Sequence, residues 1–400
     1  MDMIKIGNKE ISKDLFIFLI ISVLLGIVSA VENTSLANRL YEDLHFTIMQ
    51  RSFLEAPREM PGLLSVVLFG MLNGLGDIKI AAVANILGGV GLIFFGLTTN
   101  GFWIILLFLV VYSTGQHLYL PLSNTIAMTF AKGNNFGQRL GQVQGLGSLA
   151  IIISSGALFF LYKFIHITYS TIFTIGGAAM LIAGGLFLFL NARNEKIVSD
   201  KMFVFRKEYK MYYLIATING ARKQITLTFA PWLLITVFDQ PVTTITALFF
   251  IVCVINIFFK PLFGTMIDRK GEKYALKFEA VIMFIACLGF SFAKTLFGFR
   301  LALIIVGFCY IIDKLMESAS MARATYVKKL AKDPADVSRT LTMGQSMDHV
   351  ISVCIPVFAG YAWYAGGAEG YRIVFIGGLV ISLVNYFIAG KLEIEPVDEP

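Results

Sequence analysis

Apolar runs of roughly 20 residues, the length that crosses a bilayer, alternate along the whole chain with short polar turns. Their pattern predicts about twelve membrane-spanning helices, at 15–40, 52–76, 80–98, 102–130, 140–163, 168–190, 211–237, 243–266, 274–294, 300–327, 340–364 and 371–391. One interruption is longer. Residues 191–210 are polar and carry Arg193, Lys196, Lys201, Arg206, Lys207 and Lys210. The expected architecture is therefore all-α and polytopic. It has a six-helix half at 1–190, a cytoplasmic linker at 191–210, and a second six-helix half with a short cytoplasmic tail at 211–400. Within the linker, the Lys201–Lys207 phrase fits a strip lying on the membrane surface as well as it fits a plain tether. The basic start followed by Leu15–Ala30 imitates a secretory signal, but the span count requires this first run to be retained.

Composition supports the membrane reading. The chain is 57% hydrophobic and 15% charged, where a soluble domain has about half apolar and a quarter charged residues. The net charge of +7 is scattered through short loops, which argues for loop orientation and against nucleic acid. Lys and Arg collect at 1–14, 77–80, 131–139, 191–210, 267–273 and 328–339 and are nearly missing from 98–102, 163–168 and 238–242. By the positive-inside rule both termini are cytoplasmic. The external segment 41–59 is unusually charged, and Glu55-Ala-Pro-Arg58-Glu59 is expected to be a solvated cap in preference to a gate. Cys253, Cys287, Cys309 and Cys354 lie in apolar runs with no Cys-x-x-Cys or Cys/His pattern, so neither a disulfide framework nor a metal site is expected.

The sharpest motif is the short basic turn Gly264-Thr-Met-Ile-Asp268-Arg269-Lys270-Gly271-Glu272-Lys273, set between two apolar runs. Gly-x-x-x-Asp-Arg-x-Gly-x-Lys in that setting resembles the loop signature of the major facilitator superfamily of secondary transporters. The physical expectations are that Gly264 allows close helix approach, Asp268 faces a helix N-terminus, Gly271 makes a tight turn and Arg269 holds the loop inside. A degraded copy stands at 73–80, where Asp77 survives while Asn73 and Ile80 replace the two glycines. Ala131-Lys132 with Arg139 recurs as Ala331-Lys332 with Arg339, as expected of parallel repeats. The resemblance has limits. The fourth span lacks the Arg of proton-coupled members, and Ser154-Ser-Gly156-Ala lacks the Pro of the exporter signature.

Charges inside a bilayer are costly and mark function by default. Five predicted spans carry them at helical spacing. Span seven has Asn219, Arg222, Lys223 and Thr226, and span ten has Tyr310, Asp313, Lys314 and Glu317. Span eleven has Gln345, Asp348, His349 and Ser352. Span four has Ser113, Gln116 and His117, and span one has Ser29, Glu32 and Asn33. The resemblance implies that spans one, four, seven and ten line a cavity. Glu32, Asn33, Gln116, His117, Asn219, Arg222, Lys223, Asp313, Lys314 and Glu317 are thus the expected contacts of a small-molecule substrate. Asp348, His349, Asp77, Gly264, Asp268, Arg269 and Gly271 are the coupling and gating candidates. Each charged group also fits a purely structural pairing. Glu32, Asp313, Glu317 and Asp348 are the candidate proton carriers, because burial disfavours a charged carboxylate.

The expected protein is a non-enzymatic secondary transporter of the cytoplasmic membrane. It works by alternating access, is probed first for proton coupling, and acts as a monomer in the lipid bilayer without cofactor or metal. No Gly-x-x-x-x-Gly-Lys-Ser/Thr occurs, so ATP is not the direct energy source. The Arg222-Lys223 pair tilts the substrate towards a carboxylate or phosphate. The alternatives are a multidrug-type or lipid-translocating carrier of the same fold, or a transport-inactive receptor.

Overall fold

A computed structural model describes residues 3–6, 9–72, 74–131, 136–190, 205–331 and 334–392. Asn73, Lys132, Lys332, the linker up to residue 204 and the acidic tail after Leu392 lie outside the described residues. The chain opens with a two-stranded antiparallel hairpin, β1 (Met3–Ile6) and β2 (Lys9–Ser12), with Ile4 opposite Ile11. Among the described residues, the elements after it are all helical. Ser12 starts α1 (Lys13–Asn38) by accepting the Leu15 amide at 3.3 Å, with Asp14 in the first turn against the helix dipole. There follow α2 (Ile48–Leu63), α3 (Ser65–Leu72), α4 (Asp77–Leu97), α5 (Phe102–Thr129), α6 (Phe136–Phe160) and α7 (Tyr169–Phe187). The remaining helices are α8 (Lys210–Thr236), α9 (Val242–Leu296), α10 (Phe299–Met316), α11 (Ser320–Leu330), α12 (Pro334–Ala365) and α13 (Gly370–Gly390).

Among the described residues, seven helices are long and apolar enough to cross a membrane by length and composition. α8 and α12 are not among them, although at 27 and 32 residues they are long enough. They fall short because they carry ionised groups in mid-helix. The molecule is all-α and polytopic, as the hydropathy pattern predicted.

Two predicted spans are shaped differently from the expectation. The second is divided at Leu64 into α2 and α3, just after Pro61, whose ring cannot donate to the helix ladder. The tenth is divided into α10 and α11 by a 3-10 turn, Glu317–Ala319, at the level of its polar stripe. Such mid-helix interruptions favour functional hinges. Spans eight and nine, as expected, are two helices, the parts of α9 before and after a non-helical turn at Gly271. Gly271 has φ 82° and ψ 166°, a region open essentially to glycine alone. Gly271→Ala is therefore expected to cost about 1–3 kcal/mol, read as a lower melting temperature of the purified protein. Gly264 departs from its expected role. A Cβ placed there meets nothing within 4 Å, so among the described residues it serves no close helix contact.

The chain forms two compact units, residues 1–45 with 60–200, and residues 46–59 with 201–400. In the first, α4 packs between α5 and α7, and α1 against α6 and α7. Small residues set these distances: a Cβ on Gly89 would stand 2.8 Å from the Gly177 carbonyl oxygen, and one on Gly177 would stand 2.8 Å from that of Gly89. Arg39, fully buried, ties the end of α1 to α4 by donating to the Gly96 and Thr98 carbonyls at 2.8 and 3.0 Å. Its guanidinium lies over the Phe95 and Phe173 rings.

In the second unit, α9 packs on α10, α11 and α13, and α8 on α12 and α13. Residues 46–59, which include the first part of α2, belong here, with Ser52 against Gly360 of α12. The expected solvated cap at Glu55–Glu59 is corrected by this packing. Arg51, Glu55, Arg58 and Glu59 are all buried. Arg51 pairs with Glu55, and Arg58 reaches Glu55 at 2.7 Å and Glu59 at 3.0 Å. Charges buried against α12 persist only when paired, and these are.

Candidate functional sites

In the second unit, the polar stripe of α8 faces α9, α10 and α12. Two glycines bring α8 and α12 together. A side chain on Gly220 would occupy the place of the Asp348 carboxylate, and one on Gly344 would occupy that of the Tyr212 ring. Asp348 can therefore reach Lys223, at 2.5 Å. The Lys223 and Asp348 side chains are 36% and 18% exposed, although each lies about a dozen residues, at roughly 1.5 Å per residue, inside its helix.

Arg222 is held differently. It is 3% exposed. It donates to Asp313 at 3.3 Å, Glu279 at 3.2 Å and Asn219 at 3.0 Å. Arg323 of α11 holds the other Glu279 oxygen at 2.9 Å, and the Thr226 hydroxyl donates to Asp313 at 2.7 Å. Two guanidinium groups thus face two carboxylates in a closed set, where pairing offsets the cost of desolvation. Lys314, also buried, reaches Glu317 at 2.8 Å, and the Glu317 side chain is 53% exposed. His349 lies 3.1 Å from Glu59.

In the first unit, Glu32 accepts from the Tyr112 hydroxyl at 2.8 Å and from the Gln116 amide at 2.6 Å. The α1 and α5 stripes thus meet at Glu32. Asn33 is exposed and donates to the Ser29 carbonyl of its own helix at 2.9 Å. His117 is buried, with its Nδ1 2.9 Å from the Ser113 carbonyl oxygen and 3.0 Å from its hydroxyl.

The loop residues fall away from these groups. Asp77 is buried in the first turn of α4, after Gly76 with φ 76°, where the helix N-terminus favours its charge. Asp268 and Arg269 are exposed. Lys273 donates to the Leu392 carbonyl at 3.2 Å, and buried Glu272 pairs with Lys329 of α11 at 2.9 Å.

Sequence reasoning missed Glu279, Arg323, Tyr112 and the Glu272–Lys329 pair. Glu279 had a usable signal, as a lone carboxylate in the apolar run 274–294. Arg323 had less, since it follows the break at Glu317–Ala319 and leaves the periodicity of its span.

Comparison with known proteins agrees with the fold. The family model described as Major Facilitator Superfamily matches residues 15–312. Among solved structures, a variant of the nucleoside transporter NupG superposes with TM-score 0.76 at 16% identity, over 94% of this chain and 99% of that one. A bacterial homologue of the human lysosomal transporter Spinster, inward-facing and occupied, gives 0.74 at 17% identity over 96% and 98%. A peptide transporter of the POT family gives 0.67 at 13% identity over 95% and 94%. No curated protein sequence matches the chain.

Proposed function

Because the chain belongs to the major facilitator superfamily, we propose that it is a secondary active transporter of a small organic solute, working by alternating access and coupled to protons. Its place is the cytoplasmic membrane, with both termini inside, as a monomer. Residues 1–190 and 211–400 are its two six-helix halves. The observation that carries this reading is the Lys223–Asp348 pair, together with Glu317. These are charged side chains, partly exposed: Lys223 and Asp348 lie deep within helices of spanning length, and Glu317 in the turn that divides the tenth span. A charge at that depth persists only beside protein or water, so these three groups mark a wetted surface.

The enclosed set around Arg222 supports a division of labour. Arg222, with its neighbours Asp313, Glu279 and Arg323, fixes α8, α9, α10 and α11 to one another, and Lys223 is the cation presented to solute. The substrate class is therefore an anion bearing carboxylate or phosphate, received by Lys223 when it exchanges partners from Asp348. Asp348, released when Lys223 turns to the solute, is the proposed coupling carboxylate of the second unit. Glu32, held by Tyr112 and Gln116, is the corresponding acceptor in the first unit. The likeness to nucleoside and peptide transporters, at 13–16% identity, carries the fold and not their solutes.

The test has two stages. A thermal-shift screen of the purified protein finds the solute, because a ligand of the folded state raises its apparent stability. Uptake of that solute into proteoliposomes is then followed with and without an imposed pH gradient. Accumulation above the equilibrium level only with the gradient is expected. Uptake indifferent to the gradient would sink the proton coupling.

A further inference from the structure

On the surface of the second unit, α9 and α13 leave a groove of about 170 Å³, lined by Ala280, Val281, Phe284, Ser382, Leu383 and Tyr386. The Ser382 hydroxyl is already committed, donating to the Gly378 carbonyl at 2.8 Å. The groove presents an apolar wall, with Val281 and Leu383 each 44% exposed. Spacing gives it a direction. Lys277, Ala280, Val281 and Phe284 are positions i, i+3, i+4 and i+7 of α9, and Ser382, Leu383 and Tyr386 are the matching set on α13. The apolar trough therefore leads to Lys277, whose Nζ stands 4.4 Å from the centre of the Tyr386 ring.

That end of the unit is basic. Gly271 lies six residues before Lys277, about 9 Å at 1.5 Å per residue. Around it Arg269, Lys270, Lys273 and Lys391 are exposed. Lys270 lies over the Tyr274 ring at 4.5 Å. Of the nearby acids, Glu272 is buried against Lys329, and Asp268 is exposed. An ammonium seated over an aromatic ring at the end of an apolar surface suits a lysine at a membrane interface.

We infer that this groove binds one anionic phospholipid, with an acyl chain along Val281, Phe284 and Leu383 and the phosphate at Lys277. The chemistry demands both halves of the ligand. The trough is lined by apolar side chains apart from the Ser382 and Tyr386 hydroxyls, and the cation at its mouth selects a negative headgroup over a zwitterionic one. The inference does not depend on the solute or the coupling ion, since it uses only this surface of α9 and α13.

The experiment titrates dioleoyl-phosphatidylglycerol into the detergent-solubilised full chain and counts retained lipid by native mass spectrometry, with dioleoyl-phosphatidylcholine as the control. The wild-type chain is expected to retain the anionic lipid in preference to the zwitterionic one. Lys277→Gln should weaken that retention about fivefold, the worth of one interfacial cation. Val281→Trp, which fills the trough from an exposed position, should weaken it while Lys277 stays in place. Melting temperatures without lipid confirm that both variants are folded. Equal retention of the two lipids would overturn the inference, as would retention unchanged in both variants. Stabilisation by inorganic phosphate alone, lost in Lys277→Gln but kept in Val281→Trp, would also overturn it, by assigning the site to a free anion.

Discussion

Replacing Arg222 by alanine is expected to destabilise the protein by about 3–5 kcal/mol, the cost of leaving a buried carboxylate without its cation. Asp313 loses its guanidinium partner and keeps only the Thr226 hydroxyl and its other neighbours, in a place that is 5% exposed. Glu279 is less affected, because Arg323 still holds its second oxygen at 2.9 Å. The expected readout is a lowered melting temperature in detergent. The double variant Arg222→Met with Asp313→Leu should recover most of the loss, since replacing a buried pair by apolar groups of similar size is often neutral. Recovery in the double variant separates an interlock from a binding contact. An Arg222→Ala variant that melts like the wild type but no longer binds solute would return Arg222 to the substrate surface.

Lys223→Gln is expected to do the opposite. The pair with Asp348 is partly exposed, and such pairs contribute at most about 1 kcal/mol, so the melting temperature should barely move. Binding should suffer far more. A hydrogen bond to a charged group contributes about 1.5–3 kcal/mol, which corresponds to a loss of roughly ten- to a hundredfold in affinity for the solute found by thermal shift. Asp348→Asn should spare binding and abolish the response to the pH gradient, because the amide cannot carry the proton. Affinity unchanged in Lys223→Gln would remove the anion from the proposed substrate class. A gradient response retained in Asp348→Asn would move the coupling to another carboxylate, of which Glu32 is the best placed.

Much of the fold was legible because burial in lipid imposes long apolar runs. The charge stripes were legible for the complementary reason: ionised residues are rare there, so their spacing stands out. Arg222, Lys223, Asp313 and Asp348 were found in this way, and they do meet within the second unit. The division between them was not legible. Periodicity places Arg222 and Lys223 on one face of α8, but only the neighbours decide that Arg222 is enclosed by Glu279 and Asp313 while Lys223 stays partly exposed. Glu279 was missed because a lone residue adds no period, although a carboxylate in an apolar run was itself a signal. The charges at Arg51–Glu59 were misjudged for another reason. Their covering helix is α12, and Glu59 meets a partner 290 positions along the chain, a distance at which local composition says nothing. The turn at Glu317–Ala319 was invisible too, because hydropathy does not distinguish a tight i→i+3 turn from the helix on either side.

The account stands on water reaching the ionised groups of α8 and α10, and thiol labelling reads this directly. In a background where Cys253, Cys287, Cys309 and Cys354 are replaced by serine or alanine, Lys223→Cys and Glu317→Cys are each treated in proteoliposomes with a charged, membrane-impermeant maleimide and with a lipophilic one. Rapid reaction of both positions with the charged reagent, slowed by the solute, is the expected result. Reaction with the lipophilic reagent alone would place these positions against lipid and contradict the carrier.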